Sequence, residues 1–587
     1  MTALQGIGSL PQLAPRPEIR LRYTFPYKKD MPFVLRNGSW PNPYLSSILY
    51  EKTQEYNPQD EASEETALVP PGQTIYMVPY HAVELHDARL ASIDITKWTA
   101  VPASNSLLLS LFEIYFIFEY PFHSVFHKDL FLDDMLSGKQ RFCSPLLVNA
   151  VLAAAWHGHQ GFQKRSEYWR PDNLGYRFLA EARRLLEREQ TTSKITTIQA
   201  TSIMNLTLCT NGLDELSWSL LGNAINMARQ LNLFTPSPES DPKWQKAAAI
   251  TSWSVFNMQA WHSFHMFRSP PLLEPPLHHL PDAEHDPSFF GEVHVRYPGA
   301  KQKVDINHGH VFKAMSGFRT ILNAASLEVS MSEGDRLLPV RLLHYWRSIE
   351  GWYSSLPQCL KARNIALPSH LKLHMHMHVL LIRLFEPFEH VSQIFAIEEL
   401  PRPGNIVIQS KMALETLVRL HYSRHGFEAY DPAMPYFVSL LAWNSLRDYK
   451  QMILAQNTSH VDAALSTIML CAKLLWEQGA NHFLSEVVFF FFRSSLPSLH
   501  EVRLLREVVD VIDEETGPRL ALMVQEVRSQ WPVGIFSTAN MSADAARLSH
   551  FIDWCERTVD SQAQQRLSTS QSPDPFGSPD AAWIQYP

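Results

Sequence analysis

The chain has 587 residues, of which 45% are hydrophobic and 11% aromatic, with only 19% charged and a formal net charge of -8. Those totals supply a large buried core, suit two to four domains at roughly 150 residues each, and leave the charged fraction below the usual quarter. The densest basic pairs, Lys28-Lys29 and Arg183-Arg184, are too sparse to neutralise a phosphate backbone, so no duplex-DNA contact is predicted from composition.

The cysteines narrow the chemistry further. Cys143, Cys209, Cys359, Cys471 and Cys555 are widely spaced and form no CxxC pair. That excludes a disulfide framework and an ordinary structural zinc site. The first residues, MTALQGIGSLPQLAP, are broken by glycine and proline and do not read as a signal peptide. The apolar run Val487 to Phe492 is far short of a bilayer span. An intracellular, soluble chain with reduced thiols is expected.

In chain order, residues 1–75 read as a mostly disordered linker with an acidic stretch, EKTQEYNPQDEASEET, and one short helix at NPYLSSILYEK. One short helix ending near Ala91 is expected in 76–105. From Ser106 the text turns helical. Leu107, Leu108, Leu111, Phe112, Tyr115 and Phe118 recur at three- and four-residue spacing, and Pro121 ends the helix. Ser144-Pro145 is a cap followed by a first-turn proline. Thr196 or Thr197 can cap a later helix, and Gly212 suits a left-handed C-terminal residue. The helix from about Glu215 stacks Trp218, Leu221, Ile225 and Ala228 on one stripe. Ala200, Gly222 and Ala224 offer a close approach of two backbones in the hairpin around Gly212.

A long helix beginning at WQKAAAITSW stops at Pro270-Pro271, and 282–305 reads as an irregular insertion. Further helices are predicted at His308 to Val329, Val340 to Leu356, Leu371 to Phe385, Val407 to His425, Met434 to Ala455, Val461 to Gly479 and Phe483 to Ser495. An amphipathic pair is predicted at Leu499 to Gln530 and Ala543 to Thr558. The Ser-, Pro- and Gln-rich tail, 561–587, reads as disordered, and its Asp574, Phe576, Asp580, Trp583 and Tyr586 loosely fit an activation segment. The predicted fold class is all-α: one large domain of stacked antiparallel helix hairpins, 76–560, between disordered termini. No strands and no repeat of about 34 residues are legible.

The order of these pieces resembles a known family. LFEIYFIFEYPFHSVFHKDLFL, SPLLVNAVLA, EARRLL, IQATSIMNL and WSLLGNAINMARQLNLF follow one another between Phe112 and Phe234. That succession is similar to the middle homology region of fungal binuclear zinc-cluster transcription factors, in particular the branch with nitrate-assimilation regulators. WRSIEGWYSSLPQCL and HLKLHMHMHVLLIRLFEPF extend the resemblance. It implies a nuclear transcription regulator core, with the cytoplasm as a second location. That core would act as a homo- or heterodimer through coregulators and helical surfaces, with no membrane contact. An internal pocket for a small effector is part of the same expectation. The family's six-cysteine zinc cluster is not in this sequence. Zinc is therefore expected only with an upstream cysteine cluster, and DNA contact only indirectly or through a missing N-terminal module. A shortened gene model, a truncated protein or a lineage that lost the module would each account for that.

His370, His374 and His378 fall four apart on one helical face, a zinc-compatible spacing, with His376 between them. Leu371 stands where HExxH needs its general base, so packed histidines are preferred over a metal set. His262 and His265, beside Trp261 and Phe264, are packing or effector-pocket candidates, as is Trp218. Arg268, in FRSPP, is expected to cap carbonyls or pair with an acid, with effector contact as the sharper reading. His157 and His159 end an Ala-rich helix, where imidazolium would favour the dipole. There is no GxSxG and no phosphate-cradling glycine loop. The chain is read as a non-enzyme. A helical scaffold without a transcriptional role, or a histidine-metal enzyme, stands as the alternative.

Overall fold

The computed structural model describes residues 42–55, 74–189, 193–237, 241–331, 339–389, 400–456 and 460–509, with Met523 and Ser529. The expectations for the first 41 residues, the acidic stretch after Glu55, the second amphipathic helix, Cys555 and the 561–587 tail lie outside the described residues.

Helices dominate. The first are α1 (Ile48–Glu55) and the single turn α2 (Thr74–Met77). Next come α3 (Asn105–Ile114), α4 (Lys128–Ser137), α5 (Pro145–Trp156) and α6 (Leu174–Glu189). The central group is α7 (Ile195–Thr210), α8 (Asp214–Gln230), α9 (Pro242–His265) and α10 (His308–Met331). The rest are α11 (Pro339–Ser354), α12 (Pro368–Phe385), α13 (Pro403–His425), α14 (Met434–Leu454), α15 (Val461–Gly479), α16 (Phe483–Ser494) and α17 (Leu499–Val508). Neighbours in sequence pack as hairpins, α5 on α6, α7 on α8, α9 on α10, α12 on α13 and α14 on α15. The short connections of α7–α8 and α14–α15 make antiparallel pairing the direct way to bury two apolar stripes, and the other pairs close over longer connections.

Local chemistry explains the boundaries. Ser144 accepts from the Leu147 amide at 3.2 Å, with Pro145 opening α5 as its fixed φ favours. Gly212 takes φ +74° after α7, and the Leu213 amide reaches back to the Leu208 carbonyl at 2.9 Å. Thr196 and Thr197 are not caps. The helix starts from Lys194 with no side-chain cap, and the Thr197 hydroxyl donates to Glu189 instead. Gly222 is not a close-approach glycine either, since a Cβ there would meet nothing within 4 Å. Ala200 and Ala224 are buried, but a polar clamp fixes this hairpin. Asn205 Nδ2 donates to the Ser217 carbonyl at 2.8 Å, and the Ser217 hydroxyl donates back to the Asn205 carbonyl at 3.0 Å.

Three further corrections concern the N-terminal half. Residues 42–55, read as linker, pack into the core, with Tyr44 and Leu49 fully buried. Residues 76–105 hold three 3-10 turns, Tyr80–Ala82, Ala88–Ser92 and Ile95–Trp98, in place of one helix near Ala91. Asp87 and Asp94 cap two of these turns with their carboxylates, which suits short turns better than a propagating helix. A small antiparallel sheet also forms, β1 (Glu84–Leu85) on β2 (His294–Arg296) on β3 (Val304–Asp305). Strands of two and three residues carry no readable alternation, so the insertion looked irregular from sequence.

Apolar side chains gather into two large clusters and a small one. One large cluster is built mainly from α3 to α8 and the sheet; the other is built from α10 to α16. Helix α9 is the shared wall: Val255, Phe256 and Met258 enter the first, Trp261 and Phe264 the second. From Ala247 to His265 every residue but Trp253 is buried, as expected of a helix apolar all round.

Candidate effector site

Where the two clusters meet, the core is polar. Helix α3 runs into a π turn, Tyr115–Glu119, in which the Tyr120 amide donates to the Tyr115 carbonyl at 2.9 Å. Pro121 follows and breaks the chain direction, which turns Phe122 and His123 into the seam. The second half of α9 supplies Trp261, His262 and His265, α10 supplies Arg319, and α12 supplies Lys372 and His376. All of these are less than a tenth exposed.

Trp261 is the hub. Its ring centroid lies 4.3 Å from His265, 4.6 Å from His376 and 5.1 Å from Tyr436. The Arg319 guanidinium sits 4.9 Å above it. Burial, then the charges of neighbouring arginines, pushes His265 and His376 well below the ordinary histidine range, and burial pushes His262 down to about 3. These rings are neutral at pH 7, each offering one N–H donor and one acceptor. The two nitrogens of His265 and of His376 have no hydrogen-bond partner among the described residues.

Beside them lies a small cavity, ≈ 30 Å³, between α7, α9, α14 and α16. Cys209, His262, His265, Tyr436, His482 and Ser485 line it. Cys209 Sγ lies 3.6 Å from His262 Nδ1, and burial raises its thiol pKa, so it is no nucleophile. Burial likewise raises Cys143, Cys359 and Cys471. Neutral imidazoles, a thiol and hydroxyls around a mostly apolar space can recognise a small ligand by hydrogen bonds.

On the far side of the seam, Lys372 Nζ pairs with Asp431 Oδ2 at 2.7 Å, and both are buried. The Tyr430 hydroxyl donates to Glu119 at 2.6 Å. Burial pushes the Glu119 carboxyl up to about 7, against the lowering effects of Tyr430 and Lys372.

The sequence candidates are thus scattered over several roles. His262 and His265 line the cavity together. Arg268 pairs with Glu215 and stacks 5.0 Å over Trp218, which fastens the end of α9 to the start of α8. His370, His374 and His378 do not converge on a metal position. His370 Nε2 donates to the Ile306 carbonyl at 3.3 Å and His374 Nε2 to the Leu360 carbonyl at 2.8 Å, while Tyr44 stands between His374 and His378. Among the described residues no three His, Cys, Asp or Glu side chains are grouped to hold a metal ion. His157 is not an imidazolium on a helix dipole. It is buried, its Nδ1–H donates to the Asn481 carbonyl at 2.8 Å, and burial lowers it to about 4.

Sequence reading missed Arg319, His123, Glu119 and the Lys372–Asp431 pair. The legible signal was a lone arginine on the stripe Val311, Met315, Phe318 and Leu322, which is apolar on both sides of it. No helix among the described residues is long and apolar enough to cross a membrane.

Residues 112–286 match the model of the "Fungal specific transcription factor domain". Over 319 residues the chain is 27% identical to the "Notoamide biosynthesis transcriptional activator notL'" of Aspergillus versicolor, covering 50% of this chain and 48% of that protein. It is 25% identical over 358 residues to the "Nitrogen assimilation transcription factor nit-4" of Neurospora crassa, covering 57% of this chain and 33% of the relative. It is 27% identical over 355 residues to the "Nitrogen assimilation transcription factor nirA" of Emericella nidulans, covering 57% of this chain and 39% of the relative. The matched stretch therefore spans less than half the length of each of these relatives. No solved structure matches.

Proposed function

This chain carries the fungal-specific transcription factor domain, at residues 112–286, and from that premise we propose that it works as the regulatory core of a transcription regulator for a metabolic pathway. The domain match is the observation that carries the reading. It spans α4 to α9, and so includes the wall that separates the two apolar clusters.

The core would act in the nucleus by relaying occupancy of the seam to surfaces that meet coregulators. A ligand in the His262–His265 cavity touches α7, α9, α14 and α16 together, so binding there biases how the two clusters sit against α9. Sequence-specific DNA contact would come from a separate module or a partner chain, because no basic cluster occurs here.

The test is a tethering assay. The 587-residue chain is fused to a heterologous DNA-binding module and read with a reporter under shifts of nitrogen and carbon source. The expected result is reporter expression that depends on the chain and on nutrient state, changed by His262→Phe or His265→Phe. A nuclear fusion with no effect under any condition would count against the reading.

A further inference from the structure

Arg319 is the least compensated group in the seam. It is 2% exposed, and its Nη1 donates to the Asn257 carbonyl at 2.8 Å. Its Nε and Nη2 have no hydrogen-bond partner among the described residues. Among the described residues no carboxylate lies in salt-bridge range of it, and two buried acids of the seam are engaged elsewhere: Asp431 with Lys372, Glu119 with Tyr430. Burial lowers it only to about 9, so the guanidinium stays charged at neutral pH. A buried cation without a counter-charge is costly, by several kcal/mol.

The open edge has a specific shape. Nε–H and Nη2–H point the same way and match the two oxygens of a carboxylate. Elsewhere in this chain that same edge does hold carboxylates. Arg89 grips Asp87 at 2.9 and 2.6 Å, Arg170 grips Asp172 at 3.0 and 2.8 Å, and Arg184 grips Glu181 at 2.7 and 2.6 Å.

Arg319 lines a cavity of ≈ 20 Å³, distinct from the His262–His265 one. His123 lines it with both ring nitrogens unpartnered, and Phe122, Met258 and Met315 give it an apolar wall. The space admits little more than a water-sized group, so of the carboxylates only formate is small enough.

We propose that the cavity beside Arg319 and His123 is a binding site for formate, the smallest carboxylate. Its two oxygens take the Nε–H and Nη2–H edge of Arg319, the His123 ring donates one N–H, and its C–H faces Met258 and Met315. The claim concerns ligand binding to the purified chain and stands whether or not the tethering assay succeeds.

Thermal unfolding of the full chain is followed while formate, acetate or propionate replaces chloride at constant ionic strength. A saturable rise in Tm is expected for the wild type with formate, and none with propionate. Arg319→Met should abolish it, Arg319→Lys should raise the half-saturating concentration about tenfold or more, equivalent to about 1.4 kcal/mol, and His123→Leu should raise it less. Arg170→Gln, on the surface, should leave it unchanged. If Arg319→Met fails to fold, the Lys variant and the wild-type curve decide. A wild-type response to formate no different from that to chloride, an equal response to propionate, a saturable response kept in Arg319→Met, or an unshifted half-saturating concentration in Arg319→Lys overturns the proposal.

Discussion

The hydroxyl of Tyr44 donates to Nδ1 of His374 at 2.9 Å across 330 residues of chain. The direction follows from the other side of the ring, where Nε2 faces the Leu360 carbonyl and must carry the hydrogen. His378 Nε2 then donates to the same tyrosine oxygen, also at 2.9 Å. One buried tyrosine from before α1 thereby fixes two histidine tautomers of α12. Tyr44→Phe keeps the ring and removes the oxygen, leaving buried His374 Nδ1 and His378 Nε2 unmatched. A loss of about 1–3 kcal/mol is expected, read as a lower urea midpoint at unchanged slope. A variant as stable as wild type would show that these imidazoles find other partners.

The Lys372–Asp431 pair invites a double-mutant cycle. Both side chains are buried, at 2% and 9% exposure. Lys372→Met alone leaves an uncompensated carboxylate and should cost about 3–5 kcal/mol. Asp431→Asn alone should cost a similar amount. The double variant should recover much of the loss, because desolvation of both charges disappears together. Additive losses in the urea midpoints would contradict a coupled pair.

Stability should fall in mild acid. His157, His370, His374 and His421 are lowered to about 4 by burial, and His262 and His378 to about 3. Below about pH 6.5 the unfolded chain takes up these protons and the folded chain does not, so stability present above that pH is lost as pH drops toward about 4. Glu119 has the opposite sign. Its folded value of about 7 lies above the unfolded one, so its contribution is present at low pH and lost as pH rises through 7. One carboxyl against six histidines leaves the net slope positive. Urea midpoints at pH 7.5, 5.5 and 4.5 should decrease in that order, and a flat profile would mean that these rings are not held neutral.

Gly158 marks a tight contact between α3 and the loop that follows α13. A Cβ there would lie 2.6 Å from Ile114 Cγ2 and 3.0 Å from Tyr430 Cβ. Ile114 can turn its methyl away, but Tyr430 is held by Glu119. Gly158→Ala should therefore destabilise by about 1–3 kcal/mol, measured as a drop in Tm, whereas Gly222→Ala, with open space around it, should not.

Much of the fold was legible because helix formation is local. Prolines at Pro145, Pro242, Pro368 and Pro403 sit at first turns, Gly212 and Gly138 take left-handed positions at helix ends, and apolar residues recur at helical spacing. The bounds of α15 were read to the residue. The site was less legible. His262 and His265 could be placed on one face beside Trp261, yet nothing nearby in sequence marks His123 or His376 as their neighbours. His370, His374 and His378 share a helical face as spacing requires, and still do not act as a set.

Sequence alone determined the all-helical architecture, the hairpin order from Phe112 to Phe234 and the lack of any basic cluster, because 3.6-residue periodicity and charge content are properties of adjacent residues. Tertiary structure alone decided which polar groups in the seam found partners. Tyr44 reaches His374, and Arg165 Nη2 reaches Asn481 at 2.7 Å across 316 residues, while Nε and Nη2 of Arg319 meet no hydrogen-bond partner among the described residues. Hydrogen bonds act over about 3 Å, so their pairing is settled only when distant helices have closed on α9.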